Sequence, residues 1–341
     1  MASQQPLRFA AIGLNHGHIF GQTDILLEAG AQLVLYYAVE PELAAAYGKV
    51  YPQAACAASA EEILEDPSIE LIINAGIPCE RAPLGIRAML HGKDYMTDKP
   101  GMTTFAQLED VRRVYAETGR IYSVDFSERF HVRAAVKAGE LVQDGAIGKV
   151  LQVVILAPHH RRFSTRPAWY FEREKYGGIL VDIGSHQFDQ VLFYTGSDSA
   201  EIVASQIGNL HHPEYPEFED FGDAMVRGNG GLGYVRLDWF TPDGLGTWGD
   251  GRLFILGTNG YIEARKYCDI VGRPGGDHLF LVNRDSPQYI DCRDVALTYG
   301  RQLIEDIRHR TETAMTHAHC FLASELALQA EAKATRLGHL R

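Results

Sequence analysis

Short apolar runs alternate with longer amphipathic ones through the first 125 or so residues. Phe9-Ala10-Ala11-Ile12 reads as a strand, 17–29 as a helix, Leu33 to Tyr37 as a strand and Glu42 to Tyr47 as a helix. Leu71 to Asn74 is a third strand, followed by 80–91 (helix), 94–97 (strand), 104–117 (helix) and 120–124 (strand). Continuous apolar strands alternating with helices predict a parallel sheet covered on both faces, hence a doubly wound α/β domain over residues 1–125.

After about residue 126 the rhythm changes. A helix over 131–143 ends at Asp144-Gly145, a strand runs 150–156, and a polar, aromatic, basic segment (158–176) leads into a glycine pair and a helix near 179–195. Strand-like stretches follow at 201–208, 222–228, 231–240, 252–256 and 260–264, separated by turns such as Gly228-Asn229-Gly230-Gly231 and Gly257-Thr258-Asn259-Gly260. This order predicts a second, α+β domain over 126–341 with a large, mostly antiparallel sheet. The stretch from Cys320 to Arg336 reads as an amphipathic helix. No internal repeat or low-complexity segment interrupts the pattern.

Composition narrows the classes. Hydrophobic residues make up 46% and charged residues 22% of 341, which fits a globular chain of two domains and not a disordered or collagenous one. With 32 basic and 44 acidic residues the net charge is −12, and no basic run offsets it, so neither nucleic acid nor an anionic membrane is an expected partner. The five cysteines are scattered, with no C-x-x-C pair, against a disulfide framework or a thiolate zinc site. No basic and apolar leader begins the chain and no stretch nears the ~18 apolar residues of a membrane helix, so a cytoplasmic protein is expected.

Three segments carry candidate chemistry. Gly13-Leu14-Asn15-His16-Gly17-His18 stands between the first strand and the first helix, where the dinucleotide fingerprint G-x-G-x-x-G belongs. Only the first glycine is in place; Asn15 and His18 hold the other two positions. A helix N-terminus there still offers N–H groups to phosphate, so a cofactor reading and a plain strand-to-helix turn both remain open. Glu40, just after the second strand, is the candidate ribose ligand, and with no arginine beside it the choice of NAD or NADP leans to NAD.

Asp98-Lys99-Pro100 follows a strand at the carboxyl edge where ligands of open α/β sheets bind, and the Lys99 ammonium there could stabilise a developing alkoxide. An exposed surface lysine is the plainer alternative. Farther on, in Gly177-Gly178-Ile179-Leu180-Val181-Asp182-Ile183-Gly184-Ser185-His186, the carboxylate and the imidazole are four residues apart and share a helical face. That spacing suits a proton acceptor held by a carboxylate, and equally an ordinary helical pair. His159, His160, His211 or His212 could extend it, but two ligands at helical spacing do not make a zinc site, so no metal is expected. The His317-Ala318-His319 pair reads as structural.

Taken in order, these motifs resemble those of the Gfo/Idh/MocA oxidoreductases. Asp98-Lys99-Pro100 resembles their Glu-Lys-Pro turn, and residues 177–186 resemble Gly-Gly-x-x-x-Asp-x-Gly-x-His. Phe126-Ser127-Glu128-Arg129-Phe130, Asp144-Gly145-Ala146-Ile147-Gly148-Lys149-Val150 and Gly257-Thr258-Asn259-Gly260 agree in order and spacing. The resemblance implies an N-terminal Rossmann domain, a C-terminal domain whose open sheet joins subunits into a homodimer or homotetramer, and NAD(P)-dependent oxidation or reduction of a sugar, cyclitol or polyol. It implies catalytic roles for Lys99, Asp182 and His186, and cofactor contacts from Gly13, Leu14, Asn15, His16, Glu40, Gly76, Ile77, Pro78, Asp98 and Lys99. Substrate contacts would come from Lys99, Arg129, His159, Trp169, Tyr170, Asp182 and His186, in a pocket between the domains. The chain departs from the family at the degraded glycine loop, at Asp98 for Glu, and at Gly76-Ile77-Pro78 for Thr-Pro-Asn. Two other readings on the same fold remain: a non-catalytic nucleotide-binding sensor, and an NAD-dependent glycosidase.

Overall fold

The computed structural model describes residues 5–338; residues 1–4 and 339–341, the outer ends of the two expected domains, lie outside the described residues. The chain divides into two compact units, Met1–Asp125 with Thr298–Phe321, and Phe126–Leu297 with Leu322–Arg341.

The first unit carries a parallel sheet of six strands. They are β1 (Arg8–Ile12), β2 (Gln32–Tyr37), β3 (Ala55–Cys56), β4 (Leu71–Asn74), β5 (Asp94–Asp98) and β6 (Tyr122–Asp125), in the order β3-β2-β1-β4-β5-β6. Helices α1 (His18–Glu28), α2 (Pro41–Val50), α3 (Ala60–Glu65), α4 (Pro78–Leu90) and α5 (Phe105–Thr118) make the crossovers. Every residue of β4, β5 and β6 is buried, as strands covered on both faces must be. The strand order reverses between β1 and β4, so the crevice at the carboxyl ends of these two strands is where an open sheet of this kind takes its ligand.

The sequence pattern places residues 298–321 with the second domain, but they pack with the first. Helix α11 (Tyr299–His309) lays a strongly one-sided apolar stripe on this unit, with Leu303, Ile304 and Ile307 buried. Tyr299 Oη lies 2.8 Å from Ser123 Oγ, and the Arg310 guanidinium is 2.6 Å from Asp94.

In the second unit α6 (Ser127–Phe130) and α7 (Arg133–Gln143) precede β7 (Val150–Pro158); α8 (Arg173–Tyr176), α9 (Ile179–Asp182) and α10 (Gly184–Thr195) follow. Then come β8 (Ala200–Gly208), β9 (Phe221–Gly228), β10 (Leu232–Asp238), β11 (Arg252–Gly257), β12 (Gly260–Arg265), β13 (His278–Val282) and β14 (Gln288–Asp291). Helix α12 (His317–Lys333) and β15 (Thr335–Leu337) end the described chain. The nine strands run β14-β13-β12-β11-β7-β10-β9-β8-β15, antiparallel except for the β7–β10 and β8–β15 pairs. One sheet face buries Val153, Ile155, Val235, Leu237, Leu253, Ile255 and Ile262. The other presents a row in register across seven strands: Met225, Tyr234, Val154, Phe254, Glu263, Phe280 and Tyr289.

The helix expected over 131–143 is α7, which starts two residues later at Arg133, whereas the one expected near 179–195 is two, α9 and α10. Val132 is extended between α6 and α7, and Ile183 joins α9 to α10.

Candidate active site

In the first unit the candidate residues converge at the β1/β4 crevice. Gly13 ends β1 at φ +80°, and a Cβ on it would stand 2.6 Å from Asn74 Nδ2 and 3.1 Å from Gly76 Cα, so the first glycine of the degraded fingerprint is required by both backbone and space. Asn74, at the end of β4, accepts from the Gly76 N–H (3.1 Å) and donates to the Ile12 carbonyl, tying the two loops together. The His16 N–H donates to the Ala75 carbonyl at 2.8 Å.

Beyond them α1 begins at His18, after Gly17, with no side chain capping it and no acidic residue in its first turn, and a Cβ on Gly17 would meet nothing within 4 Å. An uncapped helix N-terminus facing open space at the switch point suits a pyrophosphate. Asn15 Nδ2 donates to Glu40 Oε1 at 2.8 Å, which fixes a carboxylate at the end of β2 where a ribose ligand belongs. Ile77 and Pro78 open α4, with proline at its first position. These residues fit a dinucleotide.

Asp98 closes β5 and is fully buried. It accepts from His16 Nδ1 (2.7 Å), His18 Nδ1 (2.8 Å) and the Lys99 N–H (2.8 Å), and it pairs with the Arg81 guanidinium at 3.1 Å. Burial opposes its charge, but His18, Arg81 and His16 outweigh that and hold its carboxyl well below the usual range. Burial, helped by His18, lowers His16 to about 4 against the pull of Asp98, so His16 is a neutral donor here. Arg81 also donates from Nε to the Gly76 carbonyl (2.8 Å) and from Nη1 to the Lys99 carbonyl. It thereby locks both ligand loops to one carboxylate. His16, His18 and Asp98 could offer a metal three ligand atoms within 4.8 Å, but the guanidinium on the same carboxylate already supplies the positive charge. Nothing in the sequence marks Arg81; the arginine looks like any other on the polar face of α4.

In the second unit the glycine pair starts the segment that carries Asp182 and His186, both buried. Two carboxylates from distant chain positions take the first N–H groups of α9: Glu219 accepts from Ile179 (2.9 Å) and Glu331 from Leu180 (3.1 Å). Arg173 bridges them, reaching Glu331 Oε1 at 2.9 Å and also pairing with Glu219. Burial and the Glu219 charge raise Glu331 to about 8.

The expected substrate contacts fall into two places. Arg129 forms a bidentate pair with Asp189 of α10, both bonds 2.7 Å, and stacks between Phe130 and Phe193. His159, Trp169 and Tyr170 join an aromatic cluster: the His159 ring is 5.3 Å from Trp239 and 4.7 Å from Trp248, the Trp169 and Tyr170 rings are 4.6 Å apart, and Arg166 lies over Tyr170 and Trp239. Sequence reasoning missed Trp239 and Trp248, as well as Glu128 and Lys266, a buried pair 138 residues apart that is bonded to Gln187, the residue after His186.

Comparison with known proteins agrees with this organisation. Residues 7–126 match the model of an oxidoreductase family with an NAD-binding Rossmann fold, and residues 135–263 match the GFO/IDH/MocA C-terminal domain. The chain superimposes on the crystal structure of a candidate oxidoreductase from Erwinia carotovora atroseptica SCRI1043 with a TM-score of 0.95 and 47% identity, covering 97% of this chain and 100% of that one. It is 26% identical to scyllo-inositol 2-dehydrogenase (NAD(+)) of Bacillus subtilis over 254 residues, 74% of this chain and 69% of that protein. The match to D-xylose dehydrogenase of Paenarthrobacter nicotinovorans, 25% identical over 131 residues, covers 37% of this chain and spans about a third (34%) of that protein.

Proposed function

The chain belongs to the GFO/IDH/MocA oxidoreductase family, and from that premise we propose that it transfers a hydride between a nicotinamide dinucleotide and a secondary alcohol or ketone carbon of a sugar, cyclitol or related polyol. The observation that carries the reading is the crevice at β1 and β4, where an uncapped helix N-terminus, the Gly13 and Gly76 backbones and the Asp98-anchored Lys99 meet. The dehydrogenases of inositol and xylose among its relatives support the substrate class.

In this reading residues 13–18 and Gly76-Ile77-Pro78 hold the pyrophosphate and its neighbours, and Glu40 takes the ribose hydroxyls. A carboxylate there repels a 2′-phosphate, which favours NAD over NADP. When bound, the dinucleotide supplies the carbon that accepts or gives the hydride. Lys99 stabilises the alkoxide with its ammonium, His186 takes the hydroxyl proton, and Asp182 orients the imidazole. Arg129, His159, Trp169 and Tyr170 receive the substrate, aromatic faces with few charged donors being suited to a polyhydroxylated ring.

A second copy of the chain covers the outward row on the nine-stranded sheet, giving a homodimer or homotetramer. Phe254, Met225 and Leu232 are more than two-fifths exposed on it, an unusual concentration of large apolar side chains for a free sheet face.

The experiment is to mix purified protein with a panel of sugars, inositols and sugar acids and follow reduced nicotinamide, with NAD and NADP side by side. Turnover with one polyol supports the reading. Silence across the panel, with dinucleotide binding confirmed in the same samples, overturns it.

A further inference from the structure

An ion pair in the second unit has no part in the chemistry above. Lys266, just after β12, is 2% exposed and donates to Glu128 Oε2 at 2.8 Å and to Gln190 Oε1 at 2.7 Å. The same Glu128 oxygen accepts from Gln187 Nε2 at 2.9 Å, and Gln190 Nε2 donates to the His186 carbonyl at 3.0 Å. Gln187 and Gln190 are both fully buried on α10. The pair is thus bonded to the residue after His186 and, through Gln190, to the backbone of His186 itself. Phe126, two residues before Glu128, sets its ring edge-on to the His186 imidazole, 6.3 Å between centroids.

Stability alone is a weak reason for such a pair. Desolvating two charges costs several kcal/mol each, and apolar residues of similar volume commonly do as well or better at such sites. What apolar residues cannot supply is a fixed charge and two oriented amides bonded around the turn of α10 that carries His186.

We propose that Glu128 is a positioning residue for His186, its carboxylate favouring the imidazolium while Lys266, Gln187 and Gln190 hold that carboxylate in place. The inference rests on the reading of His186 as the acid/base group. Among the elements packed against α10, α6 brings Glu128 and Arg129, α9 brings Asp182, the residue after β7 is His159, and β10 ends at Asp238. On α10 itself Asp189 is taken by Arg129. Arg133, Lys137 and Glu140 of α7, Asp223 and Arg227 of β9 and Arg236 of β10 all reach solvent, where their fields are screened. Burial opposes the Glu128 charge, but Lys266, His186 and His159 overcome it and keep the carboxyl far below its ordinary range. Glu128 therefore keeps its charge across the neutral range, bonded to the residue that follows His186.

The test needs neither substrate nor cofactor. The protein is labelled with 13C at the histidine Cε1 positions, the His186 resonance is identified by its loss in His186→Ala, and its titration is followed by NMR. Glu128→Gln lowers the midpoint by about one pH unit, the size expected for losing an opposite charge at close range. Because that variant strands Lys266 without its partner, the double variant Glu128→Gln/Lys266→Met is measured beside it; it removes both charges of the pair, keeps the volume, and lowers the midpoint by less. A midpoint unmoved in both, or a His186 resonance that does not titrate between about pH 5 and 9, overturns the proposal. The reading of His186 as the base fails separately: turnover of His186→Asn that keeps the parent pH–rate profile would sink it even if the titration shifts as expected.

Discussion

Gly178 lies at φ +101°, and a Cβ built on it would stand 2.4 Å from the carboxyl carbon of Glu331. The glycine pair ahead of Asp182 is therefore there for two reasons: the backbone turns where other residues are strained, and it lets a carboxylate close onto the first N–H groups of α9. Gly178→Ala adds strain and a collision at once and should cost about 3 kcal/mol. A fall in the urea midpoint with an unchanged slope would show it; a midpoint within experimental error of the parent would mean that α12 gives way without cost.

Glu331 also makes stability depend on pH. Burial and the Glu219 charge raise its folded pKa to about 8, above the ordinary carboxylate value of 4.5. The folded state then binds more protons than the unfolded chain between these values, so stability falls as pH rises through that window, by at most about 1.4 kcal/mol per pH unit from this group. Glu331→Gln keeps an acceptor for the Leu180 N–H and removes the slope. Melting temperatures of parent and variant, compared from acid to mildly alkaline pH, should converge at the acid end and separate at the alkaline end.

In the proposed reaction Lys99 and His186 carry separable parts of the chemistry. Lys99→Met should lower kcat on the order of 100-fold or more while the dinucleotide Kd changes far less, because the ammonium acts on charge that develops in the transition state. His186→Asn should lose the basic group from the pH–rate profile together with roughly 100- to 10,000-fold in rate. A Lys99 variant with parent turnover would remove that residue from the site.

Chelation is expected to do nothing. The Arg81 guanidinium 3.1 Å from Asp98 leaves His16, His18 and Asp98 without need of a cation. Turnover measured before and after prolonged dialysis against a strong chelator should agree, and a loss restored by one divalent metal would return the trio to the list of metal centres.

The outward row on the large sheet predicts a change of mass. Phe254 stands between Val154 and Glu263 in that row and is 41% exposed. Phe254→Lys should leave the fold intact and shift the scattering mass toward the monomer. An unchanged mass, in a parent that is itself oligomeric, would place the contact elsewhere.

Much of the fold is legible along the chain because its elements declare themselves locally. β4 is four apolar or amide residues buried on both sides, and a continuous run is the only pattern that such a strand can show. β3, by contrast, is two exposed residues, Ala55 and Cys56, paired with β2, and no pattern precedes that pairing. β13 is a five-residue piece after a glycine-rich stretch, too short for its alternation of Leu279 and Leu281 to stand out. The site follows the same rule. Lys99, Asp182 and His186 sit in motifs a few residues long, whereas the groups that fix their surroundings come from afar: Arg81 on Asp98, Glu331 on α9, Lys266 on Glu128. Long-range closure leaves no local trace, so these residues look like ordinary surface charges until the chain is folded.

The return of residues 298–321 to the first unit bears on how the chain is made. A ribosome that has released β6 has delivered all six strands of the parallel sheet, yet α11 and the residues that meet Ser123, Asp94 and Ile25 follow only about 180 residues later. At roughly 5–20 residues per second that is an interval of roughly 10–40 s. During it the nucleotide-binding half exists with one flank bare, open to chaperones and unable to reach its final stability. A gene fragment ending at Asp125 would encode that unfinished state permanently.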